Sequence, residues 1–304
     1  MTGRRGLFVG LCVLDVIQAV ERVPGVDEKV TALRQRVAAG GPATNAAATF
    51  AALGGDAVLV TGVGRHPLAD GIRADLAGVG GGAGSLRLVD AEAGRTSPPS
   101  VSSVWVTAST GARAVVSTNA VGSAVTAPPD LADLVRETGV VLVDGHHMEV
   151  ARCAARQARD SGRRVVLDGG SWKDGTDALL RDVDIAVCSA AFRPPGGDGD
   201  VVAYLLDRGV RFAAVSRGGL SILWGARGAS GPVFRGEVAI PTGVRVVDTS
   251  GAGDVLHGAL AYAVAGWPGE RNGDHEPFVA ALSFAAGIAG RSCEAFGTRD
   301  WMQA

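Results

Sequence analysis

The sequence predicts an α/β fold in which helices cover both faces of a mainly parallel β-sheet. Strand-length apolar runs alternate with helix-length segments along most of the 304 residues. A run that is apolar throughout is typical of a strand buried on both faces, and repeated strand–helix–strand units require a parallel sheet. Hydrophobic residues make up 47% of the chain and charged residues 20%, which excludes a disordered protein.

The elements follow one another in alternation. Predicted strands are Leu7–Leu14, Asp56–Thr61, Val140–Asp144, Arg164–Asp168, Asp184–Val187 and Phe212–Ser216. Predicted helices are Pro42–Leu53, Pro67–Ala77, Glu149–Ser161, Val201–Arg208, Gly253–Gly266 and Pro277–Arg291. The first helix has proline in its first turn and is followed by Gly54 and Gly55, which are start and stop signals.

Two regions interrupt this alternation. Residues 21–37 mix polar and β-branched side chains without a helical period, and 101–116 alternate, turn at Thr110–Gly111 and alternate again, which is typical of a hairpin. We expect strands from about 20–38 and 99–117 to form a small lid. Such a lid can cover the carboxyl ends of the main strands, where open α/β sheets bind ligands. The whole chain, 1–304, is predicted to be one domain with this lid.

Composition excludes several classes of function. The net charge of −2 provides no electrostatic basis for nucleic-acid binding. Cys12, Cys153, Cys188 and Cys293 lie too far apart for a zinc motif or a disulfide framework. No run of about 18 apolar residues predicts a membrane span, so we expect no membrane association and a cytoplasmic location.

The segment Val247–Leu260 (VDTSGAGDVLHGAL) joins a strand to an apolar helix through a turn of small residues. Gly251, Ala252 and Gly253 can bring backbone N–H groups to the start of the helix, where donors and the helix dipole together favour an anion. Asp254 in the first turn can accept a proton from an attacking hydroxyl. The alternative is that Asp254 is only a favourable first-turn acid.

Two further segments hold candidate binding residues. In Ala39–Asn45 (AGGPATN), Gly40 and Gly41 allow close approach of the backbone, and the Asn45 amide offers a donor and an acceptor for sugar hydroxyls. A simple helix start is the alternative. Asp15 follows the first predicted strand, where it is either a ligand-binding acid or a turn residue.

These segments resemble the two signatures of the ribokinase/PfkB family of small-molecule kinases. The early GG-x-x-x-N-A helix start occurs at Gly40–Ala46, and the late DT-x-GAGD-x-x-x-GAL start occurs at Asp248–Leu260. With the alternating elements and the lid, the resemblance extends over the whole chain. It implies a doubly wound α/β/α sandwich with a small β-strand lid. It also implies phosphoryl transfer from ATP, with Mg²⁺, to a hydroxyl of a sugar or a related molecule.

The resemblance assigns roles to the signature residues. Asp254 is the implied catalytic base, and the implied anion hole for the transferring phosphoryl group is formed by Gly251, Ala252 and Gly253. The implied acceptor site is lined by Asp15, Gly41 and Asn45.

On the nucleotide side, the resemblance places Ser216 and Gly218 in the turn beside the phosphates and ribose. It places the adenine near Ala286 and Gly290, where helix packing is the alternative role. Asp248 matches an acid that helps to hold a monovalent cation such as K⁺, and a turn acid is the alternative there.

The sequence departs from the family pattern at one position. Cys188–Ala191 stands where family members usually have Asn-x-x-Glu, which helps to organise magnesium and phosphates. We therefore expect Mg²⁺ to be held through waters and phosphates alone, or another acid such as Asp168 to substitute.

The branch that looks closest is that of sulfofructose kinase-like and ketohexokinase-like sugar kinases. Lys29, on the predicted lid, is a donor that a sulfonate could use. His146, however, stands where that branch places an arginine, and Ser117 where it places an asparagine. A neutral keto- or aldo-sugar is therefore expected, with His146 as a candidate acceptor-site residue or a plain loop residue.

Three functions remain open from the sequence. The first is an ATP-dependent sugar kinase. The second is a nucleoside kinase on the same fold, against which a content of only 5% aromatic residues argues weakly, since a base is held by aromatic stacking. The third is a relative that binds sugar or nucleotide without turnover. Trp105 on the predicted lid can stack on a sugar or pack against a second copy in a homodimer.

Overall fold

The computed structural model describes residues 3–80, 84–123, 125–196, 199–228, 231–267 and 275–303. Strands are numbered in chain order: β1 Arg5–Val9, β2 Val13–Val20, β3 Arg34–Gly40, β4 Asp56–Thr61, β5 Ser85–Asp90, β6 Val101–Thr107, β7 Arg113–Ser117, β8 Val140–Val143, β9 Arg164–Gly169, β10 Ile185–Ser189, β11 Phe212–Arg217, β12 Leu220–Arg227 and β13 Val233–Val238. The helices are α1 Pro42–Ala52, α2 Pro67–Ala77, α3 Leu131–Arg136, α4 Met148–Asp160, α5 Thr176–Leu180, α6 Val201–Asp207, α7 Ala252–Val264 and α8 Glu276–Ser292, and a 3₁₀ turn follows at Asp300–Gln303.

Within these residues the main sheet has nine strands in the order β13-β12-β11-β10-β9-β8-β1-β4-β5. The strands from β11 to β5 are parallel, and β12 and β13 extend one edge in antiparallel pairing. Successive side chains of a strand point to opposite faces, as a pleated strand requires. Thus Val140 and Leu142 pack with α1, α7 and α8, whereas Val141 and Val143 pack with α3, α4 and α6. The predicted α/β/α sandwich is confirmed.

A second sheet, which we call the lid sheet, has four strands in the order β3-β2-β6-β7 among the described residues. Its small core consists of Ile17, Ala19, Val104, Val106 and Phe296. The segment assigned to the lid at 20–38 contains β3 as far as Ala38, and 99–117 contains β6 and β7. Residues 21–33 hold no strand. That residues 1–304 form one domain remains a prediction.

The prediction of a single strand over Leu7–Leu14 is wrong. β1 ends at Val9 in the main sheet, and β2 begins at Val13 in the lid sheet. The break is caused by Asp144, because its Oδ2 accepts a hydrogen bond from Leu11 N at 2.8 Å. Its carboxylate also lies 2.2 Å from where a Cβ of Gly10 would stand, so only glycine fits. Asp15 is consequently the third residue of β2 rather than the end of the first strand.

The strands β12 and β13 were not predicted. β12 and β13 form the antiparallel edge of the sheet and carry Gly225 and Gly236, so their pattern lacks the continuous apolar run of the central strands. The four cysteines are free. Among the described helices, none has the length and apolarity needed to cross a membrane.

Candidate active site

The turn before α7 brings the residues of the late signature together. Gly251 has a φ of 71°, in the left-handed region that favours glycine. A Cβ there would also lie 3.0 Å from Thr298 Cγ2. Gly253, by contrast, is exposed, and a Cβ there would meet nothing within 4 Å. The turn before α7 therefore requires glycine at Gly251, whereas the first turn of the helix is open at Gly253. An anion-binding helix start needs such an open face.

Asp254 lies in the first turn of α7 and is half-buried. Asn45 Nδ2, from α1, donates a hydrogen bond of 2.7 Å to Asp254 Oδ2, joining residues 209 positions apart. α1 and α7 can approach this closely because Gly258 has no side chain, and a Cβ there would lie 2.3 Å from the carbonyl oxygen of Ala46. The two signature segments thus meet in one site.

Burial raises the pKa of Asp254, and this effect exceeds the lowering by the Asn45 hydrogen bond and by the charges of His257 and Arg113. A carboxylate whose pKa rises from its ordinary value toward neutral pH is a stronger proton acceptor. The environment of Asp254 therefore suits a general base.

Arg299, which the sequence analysis missed, orients Asn45. Its side chain is 5% exposed. Nη1 donates to Asn45 Oδ1 at 2.9 Å, and Nη2 donates to the carbonyl oxygen of Ala39 at 2.7 Å. Nε lies 3.4 Å from Asp75 Oδ2. Because Arg299 occupies the oxygen of the Asn45 amide, the amide nitrogen is directed to Asp254.

The predicted acceptor residues lie around the start of α1. The Asp15 carboxylate packs over Gly40, so closely that a Cβ there would lie 1.8 Å from Oδ2. Burial raises the pKa of Asp15 to about 6, although a hydrogen bond from Ser102 lowers it. Gly41 has a φ of 98°, and a Cβ there would lie 2.4 Å from the carbonyl oxygen of Leu11. Both glycines are required for the close approach of these segments.

Asp144, at the end of β8, holds the loop after β1 to the start of α1. Its Oδ2 accepts from Leu11 N at 2.8 Å and Ala43 N at 3.1 Å. Its Oδ1 accepts from His146 N at 2.8 Å and lies 3.2 Å from His146 Nδ1. Burial opposes the charge of Asp144, but His146 and the backbone donors outweigh it and hold the pKa at about 2.

The other two acceptor-side residues differ in their placement. His146 is half-buried beside Asp144, at the same end of the sheet as Leu11 and α1. Lys29 is exposed in the strandless stretch between β2 and β3. None of the hydrogen bonds and ion pairs among the described residues joins Lys29 to Asp254, Asn45 or Asp15.

The predicted nucleotide residues lie on two elements. Ser216, near the end of β11, donates through Oγ to the carbonyl oxygen of Cys188 at 3.4 Å, and Gly218 has a φ of 63° in the turn to β12. Ala286 on α8 is buried in the main hydrophobic core. Gly290 on the same helix is half-buried, and a Cβ there would lie 3.0 Å from Pro241 Cγ.

The segment Cys188–Ala191 carries no carboxylate or amide side chain. Cys188 is buried, and Ser189 Oγ donates to the carbonyl oxygen of Gly170 at 2.7 Å. Asp168, the suggested substitute, points to His257, with 3.2 Å between Oδ2 and Nδ1. Asp248 accepts from Ser250 N at 2.7 Å and from Gly297 N at 2.8 Å. In the described part of the chain, no three His, Cys, Asp or Glu residues cluster as metal ligands would.

Comparisons with known proteins agree with this geometry. The family model described as "pfkB family carbohydrate kinase" matches residues 5–304. A putative ribokinase from Agrobacterium tumefaciens is 24% identical, with a TM-score of 0.76 and coverage of 99% of this chain and 98% of that one. Arabidopsis thaliana ribokinase, solved with ribose and ATP, is 22% identical, with a TM-score of 0.70 and coverage of 98% and 94%.

A third similar structure is an adenosine kinase from Sinorhizobium meliloti, 21% identical, with a TM-score of 0.71 and coverage of 98% and 96%. At these identities the structures establish a shared fold, and the family model covers nearly the whole chain. The start of α7, the Asn45–Asp254 contact and this match lead to one conclusion: the chain belongs to the pfkB family of carbohydrate kinases, which are phosphotransferases.

Proposed function

We propose that this protein transfers a phosphoryl group from ATP to a hydroxyl of a sugar or a sugar-like small molecule. The observation that carries the proposal is the 2.7 Å hydrogen bond from Asn45 to Asp254 at the start of α7. This hydrogen bond joins an amide on α1 to a half-buried carboxylate in the first turn of α7, which supports an acceptor site beside the start of that helix.

In this mechanism each group has a separate task. Asn45 and Asp15 orient the acceptor, and Asp254 accepts the proton of the attacking hydroxyl. The backbone N–H groups at Gly251, Ala252 and Gly253 stabilise the negative charge on the transferring phosphoryl group. Phosphoryl transfer gains most of its rate from such positioning and charge stabilisation, so no covalent intermediate with the protein is needed.

We assign the nucleotide to the turn at Ser216 and Gly218 and to the face of α8 near Gly290. Ala286, which is buried, would support this face from within the core. Mg²⁺, when bound, neutralises charge on the ATP phosphates. Because the described residues lack a carboxylate cluster, we infer that Mg²⁺ is held by phosphate oxygens and waters, which this ion readily retains.

A monovalent cation such as K⁺ at Asp248 stays a prediction. Both Asp248 oxygens already accept backbone N–H bonds and join the turn before α7 to Gly297. Each carboxylate oxygen has a second lone pair for a cation. Activity in K⁺ and in Na⁺ at equal ionic strength compares the two roles.

We favour a neutral keto- or aldo-sugar as the acceptor, because Lys29 lies in an exposed loop and the His146 ring lies against the Asp144 carboxylate. A homodimer through the lid sheet is proposed on two exposed apolar side chains of its outer strands, Val37 on β3 and Val116 on β7, which lie on the same face of the sheet. Single exposed side chains are ordinary, but two on one face of a small sheet favour a protein contact.

The deciding experiment is ADP release from ATP and Mg²⁺ across a panel of sugars, sugar phosphates, sulfofructose and nucleosides. Activity on one sugar that is absent in the Asp254→Asn variant supports the proposal. Activity on nucleosides alone supports the nucleoside kinase. Binding of ATP and a sugar without turnover would instead support the non-catalytic alternative and direct attention to Cys188–Ala191.

Two glycine variants distinguish an effect on folding stability from an effect on the proposed anion hole. Gly253→Ala adds a methyl group on an open helical face, so it should leave Tm unchanged or raise it slightly. The gain in the free energy of unfolding from helix propensity should be at most about 1 kcal/mol. It should lower kcat, because the methyl group fills the space of the phosphoryl group. Gly251→Ala should lower Tm through its strained φ and the contact with Thr298. Equal kcat in Gly253→Ala and the wild type would contradict an anion hole at this position.

The raised pKa of Asp15 implies that acceptor binding depends on pH. Above about pH 6 the carboxylate is ionised and can accept hydroxyl hydrogen bonds through both oxygens, and below it this capacity is lost. Acceptor affinity should therefore weaken as pH falls through 6. Asp15→Asn should weaken it on the order of 10- to 100-fold and remove the dependence.

Calorimetry with the acceptor, made in the Asp254→Asn background, isolates this effect from the titration of the proposed base. A Kd that changes equally with pH in the presence and absence of the Asp15 carboxylate would contradict its role.

A further inference from the structure

Lys173 lies in the loop between β9 and α5 and has no part in the mechanism above. It is one of only two lysines in the chain, the other being Lys29. Its side chain is half-buried, and its Nζ lies 3.5 Å from the carbonyl oxygen of Asp144 and 3.4 Å from that of Ser171. No ion pair among the described residues includes Lys173, so this ammonium group contacts only neutral oxygens.

The loop that carries Lys173 is held in place on both sides of this residue. The Trp172 ring packs edge-on against Phe192 and Tyr204, whose ring centroids lie 5.4 and 5.8 Å from its own. The backbone N–H of Lys173 donates to Thr176 Oγ1 at 3.3 Å. The loop is therefore ordered before any ligand binds, which lowers the entropic cost of binding.

The Lys173 ammonium group lies at the same end of the sheet as the start of α7. The two residues that it contacts, Asp144 and Ser171, follow β8 and β9, and both of these strands pack against α7. Asp168 on β9 is influenced by the same groups. Burial raises its pKa to about 7, the charges of Asp254 and Asp144 raise it further, and the charge of Lys173 lowers it. These charged groups therefore lie in one region, at the carboxyl ends of the strands where open α/β sheets bind ligands.

The charge of Lys173 is not matched by the nearest acid. The Asp144 carboxylate already accepts N–H bonds from the loop after β1, from the start of α1 and from His146, and Lys173 contacts the main-chain oxygen of Asp144 instead. A half-buried cation on neutral oxygens is stabilised when an anion approaches it. The segment Cys188–Ala191 has no amide or carboxylate that could organise phosphates in this region. Lys173 is thus a fixed positive charge at a place where a phosphate chain would need one.

We propose that Lys173 binds the terminal phosphate group of ATP. This phosphate is the one that must reach the start of α7, because Asp254 there takes the proton of the attacking hydroxyl in the proposed mechanism. The inference rests on the proposed kinase function for the presence of ATP at this site, but the binding is measurable without turnover. An acidic group on the acceptor would offer the same anionic chemistry, so the experiments separate the two sources.

The first measurement is calorimetry with ATP and with ADP, each in the presence of Mg²⁺. Lys173→Met should weaken the binding of ATP on the order of 10- to 100-fold, the loss expected for a hydrogen bond between charged groups, and should change the Kd of ADP much less. Lys173→Arg keeps the positive charge and should recover part of the affinity for ATP. Arg156→Met, which removes one positive charge from the exposed face of α4, is the control and should change neither Kd.

Several results of this calorimetry would overturn the proposal. One is an ATP Kd in Lys173→Met equal to that of the wild type. Another is an equal loss of affinity for ATP and ADP together with a lower Tm, which a purely structural role of the loop would produce. A third is weaker binding of the acceptor with ATP binding intact, which would place an acidic group of the acceptor on Lys173. Absence of ATP binding in the wild type would contradict both this inference and the kinase function.

The second measurement needs no variant. Acetic anhydride acetylates lysine amines, and Lys29, which is exposed between β2 and β3, serves as an internal reference for Lys173. ATP should slow the acetylation of Lys173, measured by mass spectrometry of the peptides, without slowing that of Lys29, and adenosine should slow neither. Equal acetylation rates of Lys173 with and without ATP would contradict the proposal. Protection of Lys173 by ATP, with no activity across the acceptor panel, would contradict only the kinase function.

Discussion

Replacing Asp254 with asparagine is expected to lower kcat by about 10²–10⁴-fold, because the amide cannot accept the proton of the attacking hydroxyl. The acceptor KM should change little, since the Asn45 side chain and the acceptor pocket are retained. The measurement is steady-state ADP release with the acceptor identified in the panel. Asp254→Glu, which keeps the carboxylate but displaces it, should have a kcat between those of Asp254→Asn and the wild type.

The same variant should fold at least as well as the wild type. Burial raises the pKa of Asp254, which means that the folded protein disfavours its ionised form. The wild type therefore loses stability as pH rises from the unfolded pKa through the folded pKa, and the neutral amide removes this loss. At neutral pH, Tm of Asp254→Asn should equal or exceed that of the wild type. An inactive variant with a much lower Tm would indicate misfolding, and full activity would exclude Asp254 as the base.

Replacing Arg299 with methionine is expected to have the largest effect on stability. Arg299 is buried between Asp75, Asn45 Oδ1 and the carbonyl oxygen of Ala39. Its removal leaves a largely buried carboxylate and two buried oxygens without these partners, a change that costs about 3–5 kcal/mol. Urea unfolding measures this loss. The activity of the folded fraction should also fall, because the Asn45 amide is no longer held with its nitrogen toward Asp254.

Two variants serve as controls. Arg299→Lys keeps the charge but not the planar fork that reaches several acceptors, so it should recover only part of the stability. Arg36→Met removes the partly exposed partner of Asp300, at 3.2 Å, and should cost under about 1 kcal/mol. Similar losses for Arg36→Met and Arg299→Met would contradict the special role of Arg299.

The order of strands and helices and the sandwich architecture could be predicted from the sequence because they depend on local pattern. Apolar runs identify the central strands whatever their neighbours, and proline and glycine mark the ends of α1 and α2. The antiparallel strands β12 and β13 were not predicted because Gly225 and Gly236 leave them without a continuous apolar run. The break between β1 and β2 was not predicted because the residue that causes it, Asp144, lies 133 positions from Leu11 in the sequence.

The residues of the candidate site also fall into those that local motifs predict and those that only the structure reveals. Asp254, Asn45 and the glycines belong to short motifs whose meaning is local, so the family and the residues on which the proposed chemistry depends could be predicted from the sequence. Arg299 stands in no such motif, and it acts on Asn45 from 254 positions away. Its role in orienting the amide is evident only in the folded structure, because this hydrogen bond forms between side chains that folding alone brings together.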